Sequence, residues 1–332
     1  MYITQRSEIM QRRGEWPDRK SSGKKAKQQD TAHYHLQPEN LMQLKGIYAP
    51  ILTPFDQDED INYPVLEQLI EFLIANKIVG LVPAGTTGEV YAFTETERLD
   101  IFKFVKEKVR GRVTLIAGTN SGATRDVIRY SQIAEQMGYD ALMVAVPPYS
   151  RPNQRELLAH YSAVAESVRI PIVLYNFPWR AGTEIGYEVL DGLIRHDHVI
   201  GIKEASSDMA RVYEMRLRYG DRYQLVCGSD DQALDYFLWG ATSWIGGAAS
   251  CAPLQHHQVL EAALANDFVK ARALMDKFMP MIRNMEGGAY TQKVKWGCQL
   301  LGIPVGNPRR PLLPIPDADR VEFERVFKLA MS

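Results

Sequence analysis

Lys203 stands near the end of an otherwise apolar run, Val199-Ile200-Gly201-Ile202-Lys203-Glu204-Ala205, and a second apolar run, Ile172-Val173-Leu174-Tyr175-Asn176, carries a tyrosine 28 residues earlier. A primary amine attacks a ketone only when neutral, and burial at a strand end disfavours ammonium and lowers the lysine pKa. A phenol beside it can move the protons. The pair therefore suggests Schiff-base chemistry. An isolated lysine at a strand end more often snorkels into solvent, so the reading depends on what else the chain brings to the same place.

The elements that must position the pair repeat along the chain. From Lys45 onward, apolar runs of strand length alternate with amphipathic segments of helix length, the pattern of βα units and a parallel sheet. Eight strand candidates are read at 46–54, 79–85, 113–119, 141–147, 171–177, 199–205, 223–228 and 241–248. Thr94-Glu95-Thr96-Glu97 has the form of a capping box, and Leu99, Phe102 and Val105 give the helix it opens a buried stripe. Eight apolar strands buried on both faces predict a (β/α)8 TIM barrel over 45–265. A doubly wound sheet is the runner-up, disfavoured because no strand is followed by a dinucleotide glycine fingerprint. Helical stretches near 267–283, 290–301 and 317–330 form a C-terminal helical extension over 266–332. Residues 1–44, with Arg12-Arg13, Arg19-Lys20, Lys24-Lys25 and Lys27 among polar residues and no apolar period, read as a flexible basic tail.

In such a barrel the active site lies where the strands end, and polar residues gather there. The second strand runs into Gly85-Thr86-Thr87-Gly88-Glu89, the fourth leads to Pro148-Tyr149, the fifth to Tyr175-Asn176 and the sixth to Lys203. The threonine pair supplies two hydroxyls and backbone N–H groups just before a helix, suited to a small carboxylate. Gly228, Gly246 and Gly247 end the last two strands and leave room for a ligand or simply form tight turns.

Composition narrows the function class. With 332 residues, 45% hydrophobic and 24% charged, the chain can bury a large core. A formal net charge of −1 gives no bulk attraction to nucleic acid or an anionic membrane, which favours small-molecule work. Cys227, Cys251 and Cys298 lack metal-ligand spacing and are odd in number, which fits a reducing compartment, and no apolar stretch reaches the roughly 18 residues of a membrane span; a cytoplasmic location is the expectation. No metal site is expected. His196, His198, His256 and His257 fall in helix or loop candidates and read as surface residues.

Taken together, Gly85-Thr86-Thr87-Gly88-Glu89, Tyr175-Asn176-Phe177-Pro178, Gly201-Ile202-Lys203-Glu204-Ala205 and Val294-Lys295-Trp296 resemble, in order and spacing, the dihydrodipicolinate synthase and N-acetylneuraminate lyase family of class I aldolases, over roughly 45–330. The resemblance implies that Lys203 forms a Schiff base with a 2-oxo acid, usually pyruvate, whose carboxylate Thr86 and Thr87 bind. It implies that Tyr175 relays protons through Thr86 to a tyrosine of a neighbouring subunit, matched by Tyr149, in a homotetramer built as a dimer of dimers. Gly228 and Ile245 would line the pocket, and no cofactor is needed. Arg180 would hold the carboxylate of the second substrate; a guanidinium grips carboxylates bidentately, which points to an acidic aldehyde such as aspartate semialdehyde.

Departures from the family pattern bear on substrate and control. Trp179 stands where a small residue is usual and Ala181 where threonine is common, while Val90, Glu95, Arg98, Gly122 and Asp126 occupy the region that binds inhibitory lysine in regulated members. Competing readings are a catabolic 2-keto-3-deoxy sugar acid aldolase or dehydratase, a hydroxyproline-pathway deaminase using the same imine, and a non-catalytic metabolite sensor. An intact set of Lys203, Tyr175 and Thr86 argues against the sensor.

Overall fold

The computed structural model describes residues 42–332. Eight parallel strands close into a barrel in sequence order: β1 Gly46–Ala49, β2 Gly80–Leu81, β3 Thr114–Gly118, β4 Ala141–Ala145, β5 Ile172–Asn176, β6 Val199–Glu204, β7 Gln224–Cys227 and β8 Ser243–Ile245, with β8 pairing back onto β1. The helices that follow β1 to β4 are α1 Tyr63–Ala75, α2 Glu95–Val109, α3 Thr124–Gln136 and α4 Gln154–Ser167. After β5 come a single turn, α5 Pro178–Ala181, and α6 Tyr187–Leu193; α7 Met209–Tyr219, α8 Ala233–Leu238 and α9 Pro253–Leu264 follow the last three strands. Three more helices, α10 Phe268–Glu286, α11 Tyr290–Leu300 and α12 Asp317–Ala330, complete the expected C-terminal extension. The architecture is a (β/α)8 TIM barrel.

Two apolar clusters explain why the strands read as continuous runs. Alternate residues of each strand point inward or outward, and both directions are dry. On β5, Val173 and Tyr175 belong to the barrel interior with Tyr48, Val82, Ile116, Met143, Val226 and Ile245, whereas Ile172 and Leu174 join the layer under the helices. The β5–β6 register shifts at Ile172/Val173, so that Val173 pairs with Gly201 and Tyr175 with Lys203. That shift lets Ile200 face the interior while Lys203 also does.

The capping box of α2 forms as expected, with Thr94 and Glu97 exchanging side-chain and backbone hydrogen bonds at 3.2 and 2.7 Å. Its buried stripe is Arg98, Ile101, Phe102, Val105 and Val109; Leu99 lies at the edge of that stripe, because Arg98 turns inward beneath the Tyr130 ring. His256 corrects the surface assignment of the histidines. It sits on α9 as expected but is fully buried, its ring 4.2 Å from that of Trp244 and 4.9 Å from that of Phe278, since this face of α9 packs between the barrel and α10.

Residues 1–41, most of the segment read as a basic tail, lie outside the described residues. Its last residues close the N-terminal end of the barrel: Leu44 is buried in the interior cluster, its N–H donates to Gln224 Oε1 at 2.6 Å and its carbonyl accepts from Thr242 Oγ1 at 2.9 Å.

Gly118 links barrel geometry to the loop after β2. A Cβ there would lie 2.3 Å from the Ala84 carbonyl oxygen, on backbone that leads directly into Gly85 and Thr86. Gly118→Ala is expected to lower the unfolding free energy by about 1–3 kcal/mol in urea titrations, because backbone rather than a flexible side chain must yield.

Candidate active site

The register of β5 and β6 brings the two chemical residues together. Tyr175 and Lys203 are direct partners across the parallel pair, and both point into the barrel mouth. The Lys203 ammonium position lies 4.2 Å from the centroid of the Tyr175 ring, and Lys203 is only 5% exposed. Burial pulls its pKa down from 10.5 to about 8; the negative charge of Asp230 opposes the fall and Arg180 adds to it. The Tyr175 phenol is pushed well above its ordinary value by burial. Near pH 8 the phenol is therefore neutral and able to donate, and about half of the amine is in the neutral form that attacks.

The residues flanking this pair are fixed from behind. Asn176 donates to both Glu204 carboxylate oxygens at 2.9 Å and accepts from the Ile185 N–H at 2.9 Å. Glu204 in turn pairs with the buried Arg211 at 2.7 Å and receives the Ser206 N–H at 2.8 Å. Charge-assisted bonds of this kind hold adjacent strand ends in one geometry. Gly228 is needed at the end of β7, because a Cβ there would meet the Glu204 carbonyl at 2.6 Å and Lys203 Cγ at 2.9 Å.

Thr86 and Thr87 line the same cavity of about 430 Å³, along with Tyr175, Lys203, Arg180 and Gly228. Their loop does not lead straight into a helix. Only a single 3-10 turn, Val90–Ala92, intervenes before α2, because Glu89 adopts φ 64° to turn its carboxylate inward. Any anion here meets hydroxyls and loop N–H groups rather than a helix dipole. Glu89 is anchored by a buried ion pair with Lys295 of α11 at 2.7 Å and by the Arg309 N–H at 2.9 Å, so the C-terminal helices hold the threonine loop. Arg180 projects from the one-turn α5 at the mouth, and Trp179 beside it is exposed, with its indole N–H donating to the Ser206 carbonyl at 3.2 Å.

Two expected residues are not among those that line this cavity. Tyr149 is fully exposed, with φ 70°, and does not line the cavity of its own chain. Ile245 is buried in the barrel-interior cluster that also contains Tyr175 and Val226. Conversely, Ser229, Asp230, Glu286 and Tyr290 line the cavity without having been singled out. The acidic pair Asp230-Asp231 after Gly228 was the available signal; Tyr290 enters from α11, 60 residues further on.

A model of the Dihydrodipicolinate synthetase family matches residues 43–330. The chain belongs to that family. The 4-hydroxy-tetrahydrodipicolinate synthase of Exiguobacterium sibiricum is 36% identical over 269 residues, covering 81% of this chain and 92% of that protein, and the enzyme of the same name from Thermomicrobium roseum is 34% identical over 277 residues, covering 83% and 91%. Among solved structures, the 4-hydroxy-tetrahydrodipicolinate synthase of Methylacidiphilum fumariolicum superposes with a TM-score of 0.84 at 28% identity, over 87% of this chain and 96% of that one. The chloride-inhibited dihydrodipicolinate synthase of Acinetobacter baumannii, solved with pyruvate, gives 0.84 at 29% identity over 87% and 99%.

In this member of the dihydrodipicolinate synthetase family, the Glu89–Lys295 pair is the tie between threonine loop and helical extension. Lys295→Met strands a buried carboxylate and is expected to cost about 3–5 kcal/mol of stability by urea unfolding, with most of the loss recovered in Lys295→Met/Glu89→Gln. Equal stability of the single and double variants would contradict the role given to the pair.

Proposed function

We propose that this chain condenses pyruvate with aspartate semialdehyde, the reaction of a 4-hydroxy-tetrahydrodipicolinate synthase, through a Schiff base on Lys203. The observation that carries the reading is the buried amine of Lys203, brought to a pKa of about 8 against the ring of Tyr175 in the cavity that Thr86, Thr87 and Arg180 also line. Family membership and the names of the relatives support it.

Thr86 and Thr87 hold the pyruvate carboxylate while the neutral Lys203 amine attacks the ketone carbon. Tyr175 supplies a proton to the departing hydroxyl, and water leaves. The resulting iminium withdraws electrons, so the Tyr175 phenolate left by that step takes up a methyl proton and is restored, and the neutral enamine attacks the aldehyde carbon of the second substrate. Arg180, at the mouth, takes the carboxylate of that substrate. Gly228 keeps the space above the Lys203 stem open, and Ile245 belongs to the interior cluster that contains Tyr175. A fully exposed Tyr149 suits a side chain delivered to a neighbouring copy, where it would extend the relay through Thr86; a homotetramer is part of this reading.

A second reading, a 2-keto-3-deoxy sugar acid as substrate, draws support from the hydrogen-bonding wall of Ser229, Asp230 and Tyr290 and from Trp179 at the mouth. Side-by-side assays with aspartate semialdehyde and keto-deoxy sugar acids separate the two.

Borohydride reduction in the presence of pyruvate should leave a pyruvyl adduct on Lys203 by mass spectrometry, and Lys203→Ala should leave none. Tyr175→Phe is expected to slow turnover by about 100-fold or more with a smaller change in pyruvate affinity. An adduct on another lysine would overturn the assignment. Lysine should not inhibit. Arg98 lies buried beside the Tyr130 ring and lines a cavity of about 520 Å³ with Val90 and Gly122, where a fixed cation repels an ammonium ligand. Saturable inhibition by lysine in the coupled assay would contradict this.

A further inference from the structure

The part of the cavity wall built by the loop after β7 and by α11 holds a carboxylate that the steps above do not use. Asp230 is 4% exposed and lies three residues past β7, the strand paired beside β6. Its oxygens accept from Trp244 Nε1 at 2.8 Å, from the Tyr290 hydroxyl at 2.7 Å and, at 3.5 Å, from the Ala248 N–H. All three donors are neutral, so they satisfy the carboxylate's oxygens without supplying a counter-charge. Among the described residues, neither Asp230 nor Lys203 has an ion-pair partner within 4.0 Å, although both line the same cavity. A buried charge without a partner is costly, so the cavity is organised for a cation that arrives during the reaction.

We propose that Asp230, whose oxygens accept from Tyr290 and Trp244, is the counter-charge for the iminium cation that Lys203 forms with a 2-oxo acid. The inference rests on the Schiff-base reading above and adds a positioning role to it.

The charge balance makes the proposal testable. Neutral amine, ketone and one proton give iminium and water; ammonium and ketone give the same products with no change in charge. Burial alone penalises the iminium as it penalises ammonium, and a nearby carboxylate stabilises both equally. Removing that carboxylate therefore leaves the equilibrium from ammonium unchanged but lowers the lysine pKa and weakens the adduct formed from the neutral amine. The titratable groups facing the pair are Tyr175 and Cys227 on neighbouring strands, Arg180 at the mouth, Asp231 beside Asp230, Cys251 after β8, and His256, Glu286 and Tyr290 from the outer helices. Glu286 also titrates near 8, pushed up by burial and by Asp230 and Asp231, so it is replaced by glutamine in every background compared.

The experiment is the apparent Kd of pyruvate for the full chain, measured by graded borohydride trapping between about pH 6 and about pH 10. With Asp230 intact, Kd is expected to be flat below a break at about 8 and to weaken tenfold per pH unit above it. With Asp230→Asn, the break moves down by about one unit, Kd above both breaks weakens by about tenfold, and Kd below both is unchanged. Asp230→Ser gives the same reading should the amide variant not fold. An unmoved break in the neutral variants, or a Kd weakened equally at every pH, overturns the counter-charge. Absence of any pyruvyl adduct on wild-type Lys203 overturns the Schiff-base reading itself.

Discussion

Desolvation of the Lys203 amine is the constraint to which the surrounding structure answers. In water this group is ammonium and inert towards ketones; inside the barrel mouth, with Tyr175 against it and Gly228 leaving room for its stem, the charged form loses its hydration and the neutral one becomes accessible near pH 8. The same burial makes every positive intermediate expensive. On the proposed Schiff-base reading, the architecture around Lys203 keeps the amine dry while accommodating the iminium formed on it.

Rigidity is supplied from outside the cavity. Asn176, Glu204 and Arg211 lock the ends of β5 and β6 from the helix-facing side of the sheet, so the inward-facing Tyr175 and Lys203 inherit a fixed spacing from strand register. Glu89 and Lys295 do the same for the threonine loop, across more than two hundred residues of sequence. The helices after the barrel thus belong to the site: α11 supplies Lys295 to anchor that loop and Tyr290 to hold Asp230.

Much of this was legible in the sequence because the physics is local. Strands buried on both faces read as apolar runs, helices announce themselves by caps, and a lysine and a tyrosine near the ends of two apolar strands stand out by type. What stayed hidden depends on distant packing. His256 is polar by type and buried only because Trp244 and Phe278 enclose it. Asp230 carries no local mark of its partners, which arrive from β8 and α11. The inward turn of Glu89, which separates the threonine loop from α2, answers to a lysine on α11. Tyr149 has an exposed position on its own chain, and its expected partner is another copy, which one sequence does not contain.

The central claim is that Lys203 is an amine made reactive by burial, and its own titration tests this most directly. Lysines labelled with 13C at the ε carbon, with Lys203→Arg to assign the resonance, should show one signal titrating with a midpoint near 8. A Lys203 midpoint at 10.5, the ordinary value, would contradict the account.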